Sequence, residues 1–398
     1  MNFQQKKSQQ IYIEIRNKLM HIYDIFGYEE LRLPLFEKYE KYIEYKAVSE
    51  ESLLKLIDRS GNILVIRPDA TFHVLKTIQN MDEVFNRCCY MTNVFRFREN
   101  NFEKNDVLQS GIELFDSSSP YADAEVIAVA IESLKALGIE NIHIDLGHSQ
   151  FVHAFLKHIG IRSDADIAYF HKLLDNKNIV ALNNSLYSAD IEKKYIEKIY
   201  DLAMLFGSYD DVMNKAGNIC SNAKMEQNLV EISNIFTALK SYGAEKYVHL
   251  DLGFSNPMNY YSGIIFKGYV NSHGETVLSG GRYDALAQTF ANRLSACGFG
   301  QNIDVTIDIM LKKQLLEESN NKTIYIKGSD EQNKALVASA LRGRNLKCIV
   351  DFNGCYEENV NNFITLNVDG ENTEVKINNE TKTYKTTDII ASKGAQLC

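Results

Sequence analysis

Two strand-like runs joined by a short polar loop constrain the fold of this chain more than any other feature. The runs are Cys89 to Arg98 and Val107 to Phe115, and the loop covers Glu99 to Asp106. Runs of this composition, separated by a few polar residues, are typical of an antiparallel β-hairpin. We therefore expect these two runs to form an antiparallel pair.

The second strand of the hairpin carries candidate binding residues. A period of two places Gln109, Gly111 and Glu113 on one face of the strand. The glycine leaves room for a ligand against the sheet, and the amide and carboxylate suit an ammonium or imidazole. Arg96 and Arg98 share a face of the preceding strand and suit a carboxylate. An internal Arg–Glu pair fits the same pattern, and periodicity alone leaves both interpretations open.

Helix signals lie on both sides of the hairpin. A three-four spacing of apolar residues predicts a helix over 8–26, ending at Gly27. A second helix is predicted to begin at Ser119-Pro120, with serine as the cap and proline in the first turn. Ile63 to Ile66 is predicted to be a short buried strand.

The length of the chain predicts two domains. A chain of 398 residues exceeds what one hydrophobic core supports. Residues 150–245 read as a mostly helical insertion, and Glu317 to Lys322 reads as a linker. Strand and helix signals resume at Thr323. We therefore expect a first domain over 1–318 and a small α/β domain over 319–398.

Composition narrows the classes of function. Lys and Arg number 43 against 52 Asp and Glu, so the net charge is −9 and gives no overall attraction to nucleic acid. No apolar run is long enough to span a membrane, and the N-terminus has no signal-peptide pattern. The 7 cysteines are odd in number and lack a C-x-x-C spacing. We expect a cytoplasmic protein with no metal and no cofactor.

Adjacent glycines precede a second group of polar residues. Gly280-Gly281 before Arg282-Tyr283-Asp284 predicts a backbone bend at a helix start, which would suit a carboxylate. A structural turn with tyrosine packing is the alternative, and local features leave it open.

Four ordered motifs resemble the class II aminoacyl-tRNA synthetases, in particular their histidyl branch. They are Arg67-Pro68-Asp69-Ala70-Thr71, Phe95-Arg96 with Gln109-Ser110-Gly111-Ile112-Glu113, Tyr260-Tyr261-Ser262-Gly263, and Gly280-Gly281-Arg282-Tyr283-Asp284. Residues 8–310 carry this resemblance. It implies an α+β fold, with an antiparallel sheet flanked by helices, a class II homodimer, and a C-terminal α/β unit similar to a truncated anticodon-binding domain.

The departures from that pattern fall on cationic residues. Asn256 and Val305 stand where active histidyl synthetases carry arginines, and no arginine lies between Arg98 and Gln109. Adenylation builds negative charge at a phosphate, and cations stabilise that transition state. The resemblance therefore implies a chain that is not an enzyme.

This combination resembles the regulatory-subunit paralogues of ATP phosphoribosyltransferase. That family implies a hetero-octamer with a short-form catalytic subunit, activation of that subunit, allosteric feedback by histidine and a place in histidine biosynthesis. An active histidyl-tRNA synthetase and another histidine-binding synthetase paralogue are the alternatives.

The resemblance also implies a set of histidine-binding residues. Glu113 and Gln109 would hold the α-ammonium, with Asp69 and Thr71 beside them. Tyr261 and Tyr283 would face the imidazole, and Arg96 would lie near the carboxylate. Asp69 is one methylene shorter than the family's glutamate. The full set is Asp69, Thr71, Arg96, Gln109, Glu113, Tyr260, Tyr261, Arg282 and Tyr283.

Overall fold

The fold is taken from a computed structural model of the chain. The structure describes residues 3–45, 49–79, 81, 86–97, 105–188, 191–254, 260–271, 273–313, 315, 323–352, 363–377 and 380–392. The chain divides into two compact units, Met1–Leu316 and Glu317–Cys398.

Helices make up much of the first unit. They are α1 (Phe3–Ile25), α2 (Tyr39–Ile43), α3 (Ala70–Gln79), α4 (Pro120–Ala136), α5 (Ser149–His158), α6 (Asp164–Asp175), α7 (Ile179–Ser188), α8 (Lys193–Ala203), α9 (Tyr209–Ile219), α10 (Ala223–Ser241), α11 (Asp284–Ala291) and α12 (Ile303–Lys313). The predicted helical stretch after residue 150 corresponds to α5 to α10. Within the described ranges, none of these helices combines the length and apolar character that a membrane span requires.

The strands of the first unit form a large sheet and a small one. They are β1 (Glu29–Glu30), β2 (Phe36–Lys38), β3 (Lys55–Ile57), β4 (Ile63–Ile66), β5 (Arg87–Phe95), β6 (Asp106–Phe115), β7 (Ile142–His148), β8 (Phe206–Gly207), β9 (Val248–Asp251), β10 (Ile264–Val270), β11 (His273–Arg282) and β12 (Ala296–Asn302). In the described part of the chain, the large sheet has nine strands in the order β1-β5-β6-β12-β11-β10-β7-β9-β8.

The predicted hairpin is confirmed at one side of the large sheet. β5 and β6 pair antiparallel, with Cys88 opposite Glu113 and Thr92 opposite Gln109. β6 in turn pairs antiparallel with β12. The sheet ends in two very short strands, β1 on β5 and β8 on β9.

Helix α1 packs on one face of the sheet, which we call the back face. Its apolar residues recur every four positions, so Ile11, Ile15, Leu19 and Tyr23 are fully buried in the main core. Full burial of such a side chain contributes about 1.5–3 kcal/mol. The Tyr23 hydroxyl and Ser110 Oγ of β6 lie 3.2 Å apart, which ties the helix to the strand.

Helix α4 begins where the sequence predicts. Ser119 Oγ accepts the Tyr121 N–H at 3.3 Å, and Pro120 occupies the first turn. The chain leaves the helix through Gly138 at φ +72°, a conformation that glycine adopts without strain.

The small sheet lies beside α2 and α3. Its strands are ordered β2-β4-β3. Ile63 to Ile66 forms β4 as predicted, but the expectation of full burial is wrong. Val65 is buried in the core, whereas Ile63, at the end of the strand, is 46% exposed.

The second unit is an α/β arrangement. Its elements are β13 (Thr323–Lys327), α13 (Glu331–Arg342), β14 (Cys348–Val350), β15 (Phe363–Asp369), β16 (Asn372–Ile377), β17 (Glu380–Lys385) and α14 (Thr386–Ala391). The strands are ordered β14-β13-β15-β16-β17. The predicted strand at Thr323 and the predicted helix that follows it are confirmed.

Candidate functional site

The face of the large sheet opposite α1, its front face, carries several glycines next to the hairpin. Gln109, Gly111 and Glu113 lie on it together, as the period of two predicts. Glycines stand beside them on β12. A Cβ at Gly298 would lie 1.8 Å from Glu113 Oε2, and one at Gly300 would lie 1.6 Å from Gln109 Nε2. The two polar side chains therefore lie flat across glycine backbone.

Glu113 is the most buried acid of this face. It is 2% exposed, and its carboxylate accepts the Thr71 hydroxyl at 2.8 Å and the Tyr283 hydroxyl at 2.5 Å. Burial raises the pKa of Glu113 to about 8, although both hydroxyl bonds oppose the shift. The protein thus holds a carboxyl group that needs a proton or a cation.

Asp69 forms the second acidic position. Its Oδ1 accepts the Tyr45 hydroxyl at 3.1 Å and the Phe72 N–H at 2.9 Å. Arg96 Nη2 lies 4.0 Å from Oδ2. Burial raises the pKa of Asp69, and Arg96 acts in the opposite direction. The helix start at α3 explains the position, because an aspartate there caps the first N–H groups.

Arg96 connects the acidic positions to an open cleft. Its Nε donates to the Pro68 carbonyl at 2.7 Å. The cleft has a volume of about 210 Å³, and Gln109, Ser279 and Asn302 also line it. Arg96 is the only charged side chain among the described residues that line this cleft.

Three tyrosines lie beside Glu113 and Asp69, and with these two acids they form what we call the pocket. The ring centroids of Tyr260 and Tyr261 lie 4.7 Å apart, and those of Tyr260 and Tyr283 lie 5.9 Å apart. A Cβ at Gly281 would lie 2.7 Å from the Tyr261 ring. The predicted bend at Gly280-Gly281 is wrong, because both residues lie inside β11. Glycine is needed there so that rings and backbone can approach the strand.

Arg282 lies apart from this cluster. Its guanidinium pairs with Asp123 of α4 at 2.9 Å and with Asp284 at 3.1 Å. Arg282 is 5% exposed and Asp123 is 3% exposed. Burial raises the pKa of Asp123 to about 6, against the attraction of Arg282. The expected ligand role of Arg282 is replaced by a buried ion pair that anchors the end of β11.

Asn256 and Arg98 lie outside the described residues. Of the segment without arginine between Arg98 and Gln109, residues 99–104 lie outside them as well, and residues 105–108 are described. Val305 is described: it is a buried residue of α12 in the main core.

Sequence reasoning missed Tyr45 and its neighbour Tyr42. They come from the segment that begins with α2, and both pack on Phe72. The three-residue spacing of Tyr39, Tyr42 and Tyr45 is a signal that could have placed them on one side of a helical turn.

The hairpin in the large sheet, the helices on its back face and the polar front face define a class II aminoacyl-tRNA synthetase-like fold, as predicted. A family model described as histidyl-tRNA synthetase matches residues 3–305. The fold is similar to that of histidyl-tRNA synthetase from Nostoc sp. PCC 7120, with a TM-score of 0.78 and 18% identity over 98% of this chain and 96% of that one.

More similar relatives narrow the family. The ATP phosphoribosyltransferase regulatory subunit of Clostridium novyi is 33% identical over 88% of this chain and 85% of its own length. The ATP phosphoribosyltransferase regulatory subunit of Oceanobacillus iheyensis is 35% identical over 82% of this chain and 80% of its own length. A crystal structure from Bacillus halodurans, titled ATP phosphoribosyltransferase regulatory subunit/histidyl-tRNA synthetase, has a TM-score of 0.80 at 26% identity, over 93% of this chain and 95% of that one. The chain belongs to the histidyl-tRNA synthetase-like family, in the branch of the ATP phosphoribosyltransferase regulatory subunits.

Proposed function

We propose that this chain is a non-catalytic regulatory subunit that binds histidine in the pocket around Glu113. One observation carries the proposal. A buried carboxyl group, Glu113, accepts the hydroxyls of Thr71 and Tyr283 above a glycine floor, and the Gln109 amide lies farther along the same face of β6. A cationic group of a small ligand offsets the cost of ionising that carboxyl group. Histidine supplies such a group as its ammonium or imidazolium.

The cleft beside Arg96 carries too little positive charge to favour ATP as the ligand. A triphosphate carries several negative charges, which enzymes of phosphoryl chemistry meet with several cations. Here Arg96 is the single charged residue of the described lining, and Val305 is an apolar core residue. The carboxylate of histidine would pair with Arg96.

The names of the relatives support the regulatory part of the proposal. The chain would activate the short-form ATP phosphoribosyltransferase catalytic subunit in histidine biosynthesis and pass on feedback inhibition by histidine. Such a relay requires that histidine and the catalytic subunit alter each other's binding. We further propose a class II homodimer within a cytoplasmic hetero-octamer, with no role in binding nucleic acid.

Calorimetric titration tests the ligand. The purified chain is titrated with histidine and, separately, with ATP. Histidine binding in the absence of ATP is the expected result. ATP binding together with histidine-dependent pyrophosphate exchange would contradict the proposal and favour an active histidyl-tRNA synthetase.

Reconstitution tests the regulatory role. The catalytic subunit is assayed alone, with the chain, and with the chain and histidine. We expect activation by the chain and loss of that activity on addition of histidine. Equal rates in all three mixtures would contradict the proposal.

A further inference from the structure

Tyr45 contacts the pocket from a segment that carries no synthetase motif. Its hydroxyl donates to Asp69 Oδ1 at 3.1 Å, and its side chain is 4% exposed. Its ring stacks on Tyr260 at 5.9 Å and 27°, and packs against Phe72 at 4.7 Å and Phe290 at 5.7 Å. One side chain thus contacts α3, α11 and Tyr260 at once.

The bond to Asp69 matters because that side chain is short. An aspartate reaches less far into the pocket than the glutamate of related synthetases, so its position depends on the groups that hold it. Oδ1 is held by Tyr45 and by the Phe72 N–H, while Arg96 lies near Oδ2. Burial raises the pKa of Tyr45 well above its ordinary value, so its hydroxyl remains a donor at every working pH.

We propose that Tyr45 is a positioning residue of the pocket: its hydroxyl holds the Asp69 carboxylate where a cationic group of the ligand meets it, and its ring closes the pocket over Tyr260. The proposal rests on the histidine-binding function proposed above and deepens it. Tyr45 would thereby set the affinity of the site without being a ligand itself.

Asp69 is surrounded by groups from several elements, and its charge depends on all of them. Arg96 favours the ionised form, as do the bonds from Tyr45 and the Phe72 N–H, whereas burial opposes it. The titratable and charged groups that interact with Asp69 are Arg96, Glu113, Tyr42, Tyr45, Tyr90, Tyr260 and Tyr261. Loss of the Tyr45 hydroxyl would therefore raise the pKa of Asp69 further.

The chain offers a matched control for this hydroxyl. Tyr42 is also buried and packs on the same ring of Phe72. Its hydroxyl has no hydrogen-bond partner among the described residues. Tyr45→Phe and Tyr42→Phe each remove one buried oxygen from neighbouring tyrosines, but only the first removes a bond to Asp69.

The experiment titrates the full-length wild type and both variants with L-histidine between pH 6 and pH 9. We expect Tyr45→Phe to bind about tenfold more weakly, because a hydrogen bond to a charged group is lost. The difference in histidine affinity between Tyr45→Phe and the wild type should widen as the pH falls, because Asp69 takes up a proton at a higher pH in the variant than in the wild type. Tyr42→Phe should bind L-histidine with the same affinity as the wild type at every pH. Equal affinity in Tyr45→Phe and wild type, or equal losses in both variants, would overturn the proposal.

Thermal unfolding separates this proposal from the proposed function. If the wild type binds no histidine, the proposed function fails, and the unfolding profile alone decides the role of Tyr45. The Tm deficit of Tyr45→Phe should grow as the pH rises through the pKa of Asp69 in the folded protein, because the Tyr45 hydroxyl stabilises the ionised carboxylate and the variant lacks that stabilisation. A Tm deficit of Tyr45→Phe that is the same at every pH would show that Tyr45 only packs against its neighbours, and it would overturn the proposal.

Discussion

Replacement of Glu113 by glutamine gives the sharpest test of the pocket. Burial raises the pKa of this carboxyl group from 4.5 to about 8. At about 1.36 kcal/mol for each pH unit, the ionised side chain costs the folded protein about 5 kcal/mol. Glutamine has nearly the same shape and never ionises, so Glu113→Gln removes this cost. It also removes the negative charge that a cationic ligand requires.

The pH window follows from the direction of the shift. Below pH 4.5 the carboxyl group is protonated in both the folded and the unfolded chain, so it contributes no pH dependence. Between pH 4.5 and pH 8 the unfolded chain ionises first, and wild-type stability falls. Glu113→Gln does not lose stability in this way, because glutamine has no proton to release. Its stability advantage should therefore grow across the window towards about 5 kcal/mol, while histidine binding falls below detection.

Urea denaturation between pH 5 and pH 9, together with histidine titration, measures both effects. Glu132→Gln is the control, since Glu132 is an exposed carboxylate of α4 paired with Lys135. This control should follow the wild type in both assays. Parallel stability curves for Glu113→Gln and wild type would refute the argument about the buried proton. Wild-type histidine affinity in the variant would refute the role of the pocket.

Three further substitutions test other features. Gly300→Ala should weaken histidine binding about tenfold with little change in Tm, since the added methyl group displaces the Gln109 amide; unchanged affinity on calorimetry would contradict this. Arg282→Met should destabilise the protein by about 3–5 kcal/mol in urea at pH 8, because Asp123 is left buried and unpaired. The loss should shrink at acid pH, where Asp123 takes up a proton. Ser119→Ala should cost about 1 kcal/mol through the lost helix cap, and Ser119→Thr should restore it.

The sequence predicts the face of β6 because side chains alternate on any strand. Gln109 and Glu113 are two intervals of that period apart, and the structure places both on the front face. The boundary signals of α4 are equally local, since caps and turns act within a few residues. Strand β6 and helix α4 could therefore be located without knowledge of the fold.

The glycine pair of β11 shows where local reasoning fails. Gly280 and Gly281 permit a bend, but they also permit close approach, and the sequence does not distinguish the two. In the structure a Cβ at Gly280 would lie 2.3 Å from the Gly298 carbonyl of β12. The need for glycine thus comes from strands far away in the sequence. The role of Arg282 also depends on a distant part of the chain, because its partner Asp123 lies 159 residues earlier.

Tyr45 was missed for a related reason. Its partner Asp69 follows 24 residues later, and nothing in the local pattern around Tyr45 indicates a polar contact. A buried tyrosine is ordinarily a packing residue. Its hydrogen bond becomes visible only when α2 is placed beside the start of α3.

The two ends of the large sheet limit how this protein can associate. β1 and β8 are each two residues long, and the exposed edge at β1 consists of two glutamates. Short or charged edges give another chain little backbone to pair with, which suppresses the stacking of sheets into fibrils. The two edges of the large sheet therefore offer little backbone for strand pairing, so a protein that binds at either edge has to be recognised through side chains.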